Sequence, residues 1–274
     1  MLTTHRKSGN DLLNALPDEA WQRLVPHLDP LDLELGQVVV VAGGAVRDVY
    51  FPTTAIVSMR YLMASGHTCE VAAVGREGIV GVMACLGGER SIHQATVQNE
   101  GGAYRMSAKA FKADFDRGGA LTRAVLRYAQ VLTGQLAENA ACNRHGTLEQ
   151  RLCRWLLSNF DRIESRELTM THEQIAQALG VKREGVTEAA GRLRRDGAID
   201  YGRGRVTARD RTVLERRTCE CYVRTRLVEA PRERANGMHD ASPRPTQSGV
   251  RRSQPTPACS LGPTVPLAAA LSEA

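Results

Sequence analysis

Residues 169–207 read TMTHEQIAQALGVKREGVTEAAGRLRRDGAIDYGRGRVT, and the order of small, apolar and basic residues in this stretch decides the C-terminal fold. Thr171 and Gln174 make a T-x-x-Q capping box, in which each side chain takes a backbone N–H that a helix start leaves free. Met170 is placed to staple onto Ile175. The helix this opens is short, with Ile175, Ala176 and Leu179 inward, and Gly180 supplies the left-handed residue that stops it. Val181 plugs the turn, and a second helix follows with Val186, Ala189, Ala190 and Leu193 on one face. A small residue at 176, glycine at 180 and valine at 186 are what two helices crossing steeply over a tight turn require. The stretch predicts a helix-turn-helix.

The outward face of the second helix, residues 182–196, carries Lys182, Arg183, Glu184, Thr187, Glu188 and Arg192. A helix in the major groove reads bases through side chains near its N-terminus. Arg183 suits guanine O6 and N7, Glu184 suits cytosine N4, and Thr187 suits a base edge or a thymine methyl. Glu188 joins this base-reading set. Lys182, Arg192, Arg194 and Arg195 suit phosphates, which position without specifying. Thr171 and His172 at the start of the first helix are expected to add to that phosphate set, as is Arg205. Residues 199–201 and 205–207 flank Gly202-Arg203-Gly204, predicting a hairpin wing with Arg203 at its tip.

Charge agrees with this placement. The chain has 274 residues and a net charge of +6, and residues 182–217 hold 11 Lys/Arg against 6 Asp/Glu, so nearly all the excess cation is here. A local basic field attracts polyanions.

Upstream, residues 146–168 open with a second capping box, Thr147 and Gln150, before a helix with Leu148, Leu152, Trp155 and Leu156 inward. Before that, Leu121, Val125, Tyr128, Leu132, Gln135, Asn139 and Cys142 are spaced 4-3-4-3-4-3, the rhythm of a coiled-coil seam. A long helix over 119–145 is predicted, with Leu121, Val125, Tyr128 and Leu132 as its dimerisation face. Residues 1–118 are Gly-rich and β-branched. Apolar runs at 38–41, 56–63, 71–74 and 95–97 are broken by Gly43-Gly44, Ser65-Gly66, Gly87-Gly88 and Gly101-Gly102, which reads as short antiparallel strands in a roll. A small helix precedes them, with Pro17 in its first turn and Trp21, Leu24, Val25 and Leu28 on one face. Residues 229–274 hold 7 of the chain's 11 prolines and are predicted to be a disordered tail. The predicted divisions are thus 1–118, 119–145, 146–228 and 229–274, in an α+β chain.

The run Arg183-Glu184-Gly185-Val186 matches the R-E-x-V run of the recognition helix in Crp/Fnr-type bacterial transcription regulators. The chain resembles that family over residues 15–228. The resemblance implies an N-terminal antiparallel β-roll of the cyclic-nucleotide-binding type, a long dimerisation helix and a C-terminal winged helix-turn-helix. It further implies a homodimer reading a pseudo-palindromic site on double-stranded DNA, with RNA polymerase as a further candidate partner. Many members follow the run with Ser-Arg or Gly-Arg, where this chain has Thr187 and Glu188.

Members that bind cyclic nucleotide use G-E-x-x-x and then Arg-Ser to hold the ribose and phosphate. The corresponding run is Gly81-Val82-Met83-Ala84-Cys85, with Arg90-Ser91 two or three residues early. Valine cannot accept a ribose hydroxyl, so cyclic nucleotide is not expected. No other cofactor is identified. The seven cysteines are scattered and odd in number, which points to reduced thiols in a cytoplasm. Cys142-x-x-His145, Cys153 and Cys219-x-Cys221 are soft ligand types, but on amphipathic helices cysteine reads first as a small buried hydrophobe, so no metal is assigned. His67 and His93 are isolated. No Ser/His/Asp set, phosphate loop or paired carboxylates suggest an enzyme, and no apolar run approaches the ~20 residues of a membrane span. The competing reading is a small-molecule or redox sensor working through protein contacts, with a vestigial DNA-binding domain.

Overall fold

The computed structural model describes residues 8–222, apart from 67, 89 and 164. The predicted tail at 229–274 lies outside the described residues, as do residues 223–228.

The chain starts with two short helices, α1 (Asp11–Asn14) and α2 (Asp18–Leu24). The Asn10 side chain caps α1 by accepting from the Leu13 N–H, while its Nδ2 donates to the Pro52 and Gly78 carbonyls at 2.8 and 2.9 Å. Pro17 is the N-cap of α2 rather than part of its first turn. Leu24 and Leu28 are buried as expected, but a 3₁₀ turn over Val25–His27 rotates Val25 outward.

Seven strands follow: β1 (Asp29–Leu33), β2 (Val38–Val40), β3 (Asp48–Pro52), β4 (Ile56–Leu62), β5 (Thr68–Val74), β6 (Gln94–Asn99) and β7 (Gly101–Ser107). They pair antiparallel in two sheets, ordered β1-β7-β3 and β2-β6-β4-β5. One core takes side chains from both, including Leu33, Phe51 and Met106 from the first and Val57, Val74 and Val97 from the second. Gly101-Gly102 begins a strand here instead of breaking one, because a Cβ at 101 would lie 2.6 Å from Thr54 Oγ1 and only glycine lets the two chains approach.

Between β4 and β5 the register slips, so that Met59 faces Ala72 but Arg60 faces Glu70. Val71 is the extra residue of this bulge, and it re-aims Glu70 onto the face that carries Ala73 and Ser58. That outer face of the sheet is where the C-terminal half docks.

Helices α3 (Ala108–Phe115) and α4 (Ala120–His145) come next. Here one expectation is corrected. Leu121, Val125, Tyr128 and Leu132 are all buried in the core of the chain's own roll, at 0–8% exposure, so they do not form a free dimerisation face. A helix packed on its own sheet shows the same spacing as one packed on a mate. The contact is close: a Cβ on Gly78 would collide with the Tyr128 ring. The exposed side of α4 instead carries Leu126, Gln130, Thr133, Ala137 and Ala140.

The C-terminal half comprises α5 (Leu148–Phe160), β8 (Glu167–Thr169), α6 (His172–Leu179), α7 (Arg183–Arg195), β9 (Ile199–Gly202), β10 (Arg205–Ala208) and α8 (Arg211–Arg217). Its core holds Leu152, Trp155, Leu156, Ile175, Leu179, Val186, Leu193 and Val206, with Ile56 and Ala73 contributed from the roll. Each such large apolar side chain contributes about 1.5–3 kcal/mol through burial. Polar bonds reinforce the docking. Trp155 Nε1 donates to Glu70 at 2.9 Å, Gln98 Nε2 to Asn159 at 2.6 Å, and Arg162 Nε pairs with Glu77 at 2.8 Å. Burial between these elements pushes the Glu70 carboxyl up, although the Ser58 and Trp155 hydrogen bonds oppose it. The architecture is an α+β antiparallel roll, a long helix and a winged helix-turn-helix.

Candidate nucleic-acid interface

Both capping boxes form as the sequence predicts. Thr147 with Gln150 opens α5, and Thr171 with Gln174 opens α6. Gly180 ends α6 at φ 63°, and the Val181 N–H bonds back to the Ala176 carbonyl at 3.0 Å, closing the turn. Helix α7 then lays Val186, Ala189, Ala190 and Leu193 on the core and turns its other side outward. Strand β10 pairs with β9 and β8, and Arg203 sits between β9 and β10 at φ 52° with Gly204 at φ 74°. Two successive left-handed residues are what a tight hairpin turn needs, and Arg203 accepts the less favourable one.

Thr171, His172, Thr187 and the wing form one edge. Tyr201 Oη accepts from the His172 N–H at 3.2 Å, the two rings stack at 3.9 Å, and His172 Nδ1 lies 3.0 Å from Thr187 Oγ1. Thr171 Cγ2 approaches the position a Cβ of Gly204 would take.

At the start of α7, Lys182, Arg183 and Glu184 are exposed, and none has an ion-pair partner among the described residues. Arg203 is exposed and unpaired in the same sense.

Arg195 is likewise exposed with no ion pair among the described residues, whereas the other expected contact residues are engaged within the chain. The His172 ring is half-buried, with Nε2 enclosed and without a partner among the described residues, and burial together with the Arg183 charge pushes its pKa down. Its ring packs on Tyr201 under the wing. Arg192 bridges Glu149 at 2.8 Å and Glu188 at 2.7 Å, which ties down one expected phosphate contact and one expected base reader together. Thr187 Oγ1 donates to the Arg183 carbonyl at 3.1 Å. Arg205 pairs with Glu167 at 3.0 Å but stays largely exposed. Thr171 spends its hydroxyl on the cap. Glu149, which the sequence reading missed, holds both Arg192 and Arg217, and those arginines lower its pKa. It lies 43 positions from Arg192, beyond any local signal.

In the roll, Gly81 is left-handed at φ 89° and Val82 is buried at 2% exposure. The space beside them is a cavity of about 20 Å³ lined by Val40, Met59, Ile79, Val82, Ser91 and His93. That is room for about one water. Arg90 Nη1 donates to the Gly43 carbonyl at 2.9 Å. Among the described residues, no group of three or more His, Cys, Asp or Glu is placed to hold a metal ion, and no helix is long and apolar enough to cross a membrane.

A roll of this kind feeding a long helix and a winged helix-turn-helix defines the fold of Crp/Fnr-type transcription regulators. Residues 150–217 match the family described as the Crp-like helix-turn-helix domain, so the resemblance carried by residues 183–186 holds. Comparison with curated protein sequences finds no match. Among solved structures, the chain is similar to FixK2 from Bradyrhizobium japonicum, with 15% identity over 70% of this chain and 98% of that one, at a TM-score of 0.62. It is similar to a CRP family transcriptional regulator from Thermus thermophilus, with 24% identity over 68% and 95% at 0.57. The c-di-GMP responsive global regulator CLP of Xanthomonas campestris aligns with 13% identity over 71% and 100% at 0.58.

Proposed function

We propose that this chain is a cytoplasmic transcription regulator that binds a pseudo-palindromic DNA site as a homodimer, with Arg183 and Glu184 reading bases. The observation that carries this is the charge of Lys182, Arg183 and Glu184, unpaired among the described residues, at the N-terminal end of a helix seated on a capped tight turn. That is the position from which a recognition helix reaches base edges. Arg203 on the wing supplies a phosphate contact beside it. The test measures duplex affinity of the full chain against salt, with footprinting on genomic fragments. A steep fall, about 0.9 in log–log slope for each phosphate engaged, with protected half-sites about one helical turn apart, is expected. A shallow slope without a protected site would sink the reading.

The dimer is proposed to form on the other side of α4 from the roll. Leu126, Gln130, Thr133, Ala137 and Ala140 keep a 4-3-4-3 spacing on the exposed face, and the small residues let a second helix come close. Leu126→Asp should give a monomer in light scattering that keeps its folded circular dichroism spectrum, since Leu126 is 51% exposed, with a lower Tm only by what association contributed. A dimer that survives this change places the interface elsewhere.

The roll is proposed to take no cyclic nucleotide beside Gly81. A buried valine where an acceptor is needed and a cavity of about 20 Å³ support this. The signal it senses would then be of another kind.

A further inference from the structure

The last turns of α4 carry Cys142, which is 1% exposed, and Cys219 follows the end of α8 at 8% exposure. Their sulfurs stand 3.1 Å apart although 77 residues separate them in sequence. A disulfide bond is about 2 Å long, so an approach of about 1 Å would close it. Cys221, half-buried, hydrogen-bonds to Cys219, and the Arg154 guanidinium acts on both Cys142 and Cys219. Burial pushes the Cys85 thiol up to about 11 and the Cys153 thiol to about 12, which makes them poor nucleophiles. Cys219 goes the other way. The two sulfurs are within hydrogen-bond distance, with either able to donate, and that contact together with the nearby Arg154 charge pushes the Cys219 thiol down while the Cys142 thiol is pushed up.

We propose that Cys142 and Cys219 form a reversible disulfide in response to a hydroperoxide, and that this bond changes DNA affinity by fixing the winged helix to the end of α4. The Cys219 thiolate attacks a peroxide oxygen, the O–O bond breaks, and Cys219 becomes a sulfenic acid as hydroxide leaves and takes a proton. The Cys142 sulfur then attacks the Cys219 sulfur, the S–O bond breaks, and water leaves with the Cys142 proton. Two thiols and one hydrogen peroxide thus give one disulfide and two waters. The loop this closes runs from 142 to 219 and contains the whole helix-turn-helix and wing, so the bond acts on the DNA-binding unit as one body. The disulfide stands on geometry alone, whereas its regulatory consequence rests on the DNA-binding reading above.

The experiment treats the full chain with hydrogen peroxide, maps cross-linked peptides without reduction, and measures duplex affinity of both states at fixed salt. Expected are a Cys142–Cys219 cross-link, loss of two titratable thiols, reversal by dithiothreitol, and at least about a fivefold change in Kd. Cys142→Ser and Cys219→Ser should each abolish cross-link and redox dependence, whereas Cys153→Ser should keep both. Cys142→Ala serves if the serine variant folds poorly, because it keeps the buried site apolar. Stable sulfenic or sulfinic acid at Cys219 without the cross-link, or a cross-link to Cys221, overturns the pairing. A cross-link with unchanged affinity overturns the regulatory half. A cross-link in a protein that binds no DNA in either state overturns the DNA-binding reading instead, and leaves the disulfide without that target.

Discussion

The two ends of α7 carry similar numbers of cations and use them differently. At the N-terminal end Lys182 and Arg183 face solvent beside Glu184 and are held by no ion pair among the described residues. At the C-terminal end Arg192 is shared between Glu149 and Glu188, Arg194 lies 3.5 Å from Asp200, and Arg217 bridges Glu149 and Asp196. Cations at a helix C-terminus also complement its dipole. One end is therefore available to a partner, and the other, apart from the exposed Arg195, is engaged in holding α7, α5 and α8 together. A count of basic residues overstates how many can meet a phosphate, because a paired arginine must first leave its carboxylate.

The strongest way to break this comparison is at the free end. Arg183→Ala or Glu184→Ala should erase preference at one or two positions of each half-site, at about 1–3 kcal/mol per base pair, with thermal stability untouched. Binding selection over a randomised half-site measures it. If Arg192→Ala alters the logo while these two leave it intact, the ends have the opposite roles.

At the engaged end the expected effect is smaller and falls on stability. Glu149→Gln loosens both Arg192 and Arg217. The pairs are about a third exposed, so the loss is about 1 kcal/mol or less, or roughly 2–4 °C in Tm at neutral pH. The arginines hold the Glu149 carboxyl below its ordinary value, so its contribution is present above that ordinary value and is lost as pH falls through the lowered one. The gap in Tm between the two proteins should accordingly close on acidification below about pH 4.5. A gap that widens there would refute the assignment.

The smallest effect belongs to the wing. Arg203→Ala should weaken specific and random duplexes alike and lower the salt slope by about one, leaving the logo unchanged. A changed logo would mean that the wing reads sequence.

The helix-turn-helix was legible because its signals are local. Thr171 and Gln174 are three residues apart, Gly180 must be left-handed where it stands, and Val186 falls at helical spacing from Ala189 and Leu193. In the roll, β2, β4, β5 and β6 announce themselves as apolar runs, but the other sheet does not. Pro30 interrupts β1, Pro52 ends β3, and β7 opens on two glycines that read as a break. On α4 the periodicity shows that one face is covered without showing by what, and the roll competes with a second chain for that role. Of the expected DNA contacts, Arg183, Glu184, Lys182 and Arg203 stand where a contact could be made. His172, Glu188 and Arg192 are taken by Tyr201, by each other and by Glu149, partners that sequence spacing does not reveal. The Cys142–Cys219 approach is hidden in the same way.

Gly78 decides how closely the long helix can sit on the roll. Its missing side chain leaves room for the Tyr128 ring, which at 6% exposure has nowhere else to go. Leu121, Val125 and Leu132 are buried along the same side of α4, and Asn139 donates to the Val71 carbonyl, so the helix is seated on the roll over most of its length. A methyl group on the loop after β5 would therefore have no slack to use up: roll and helix would have to part at Tyr128 together, and the fit of one to the other depends on an atom that is not there.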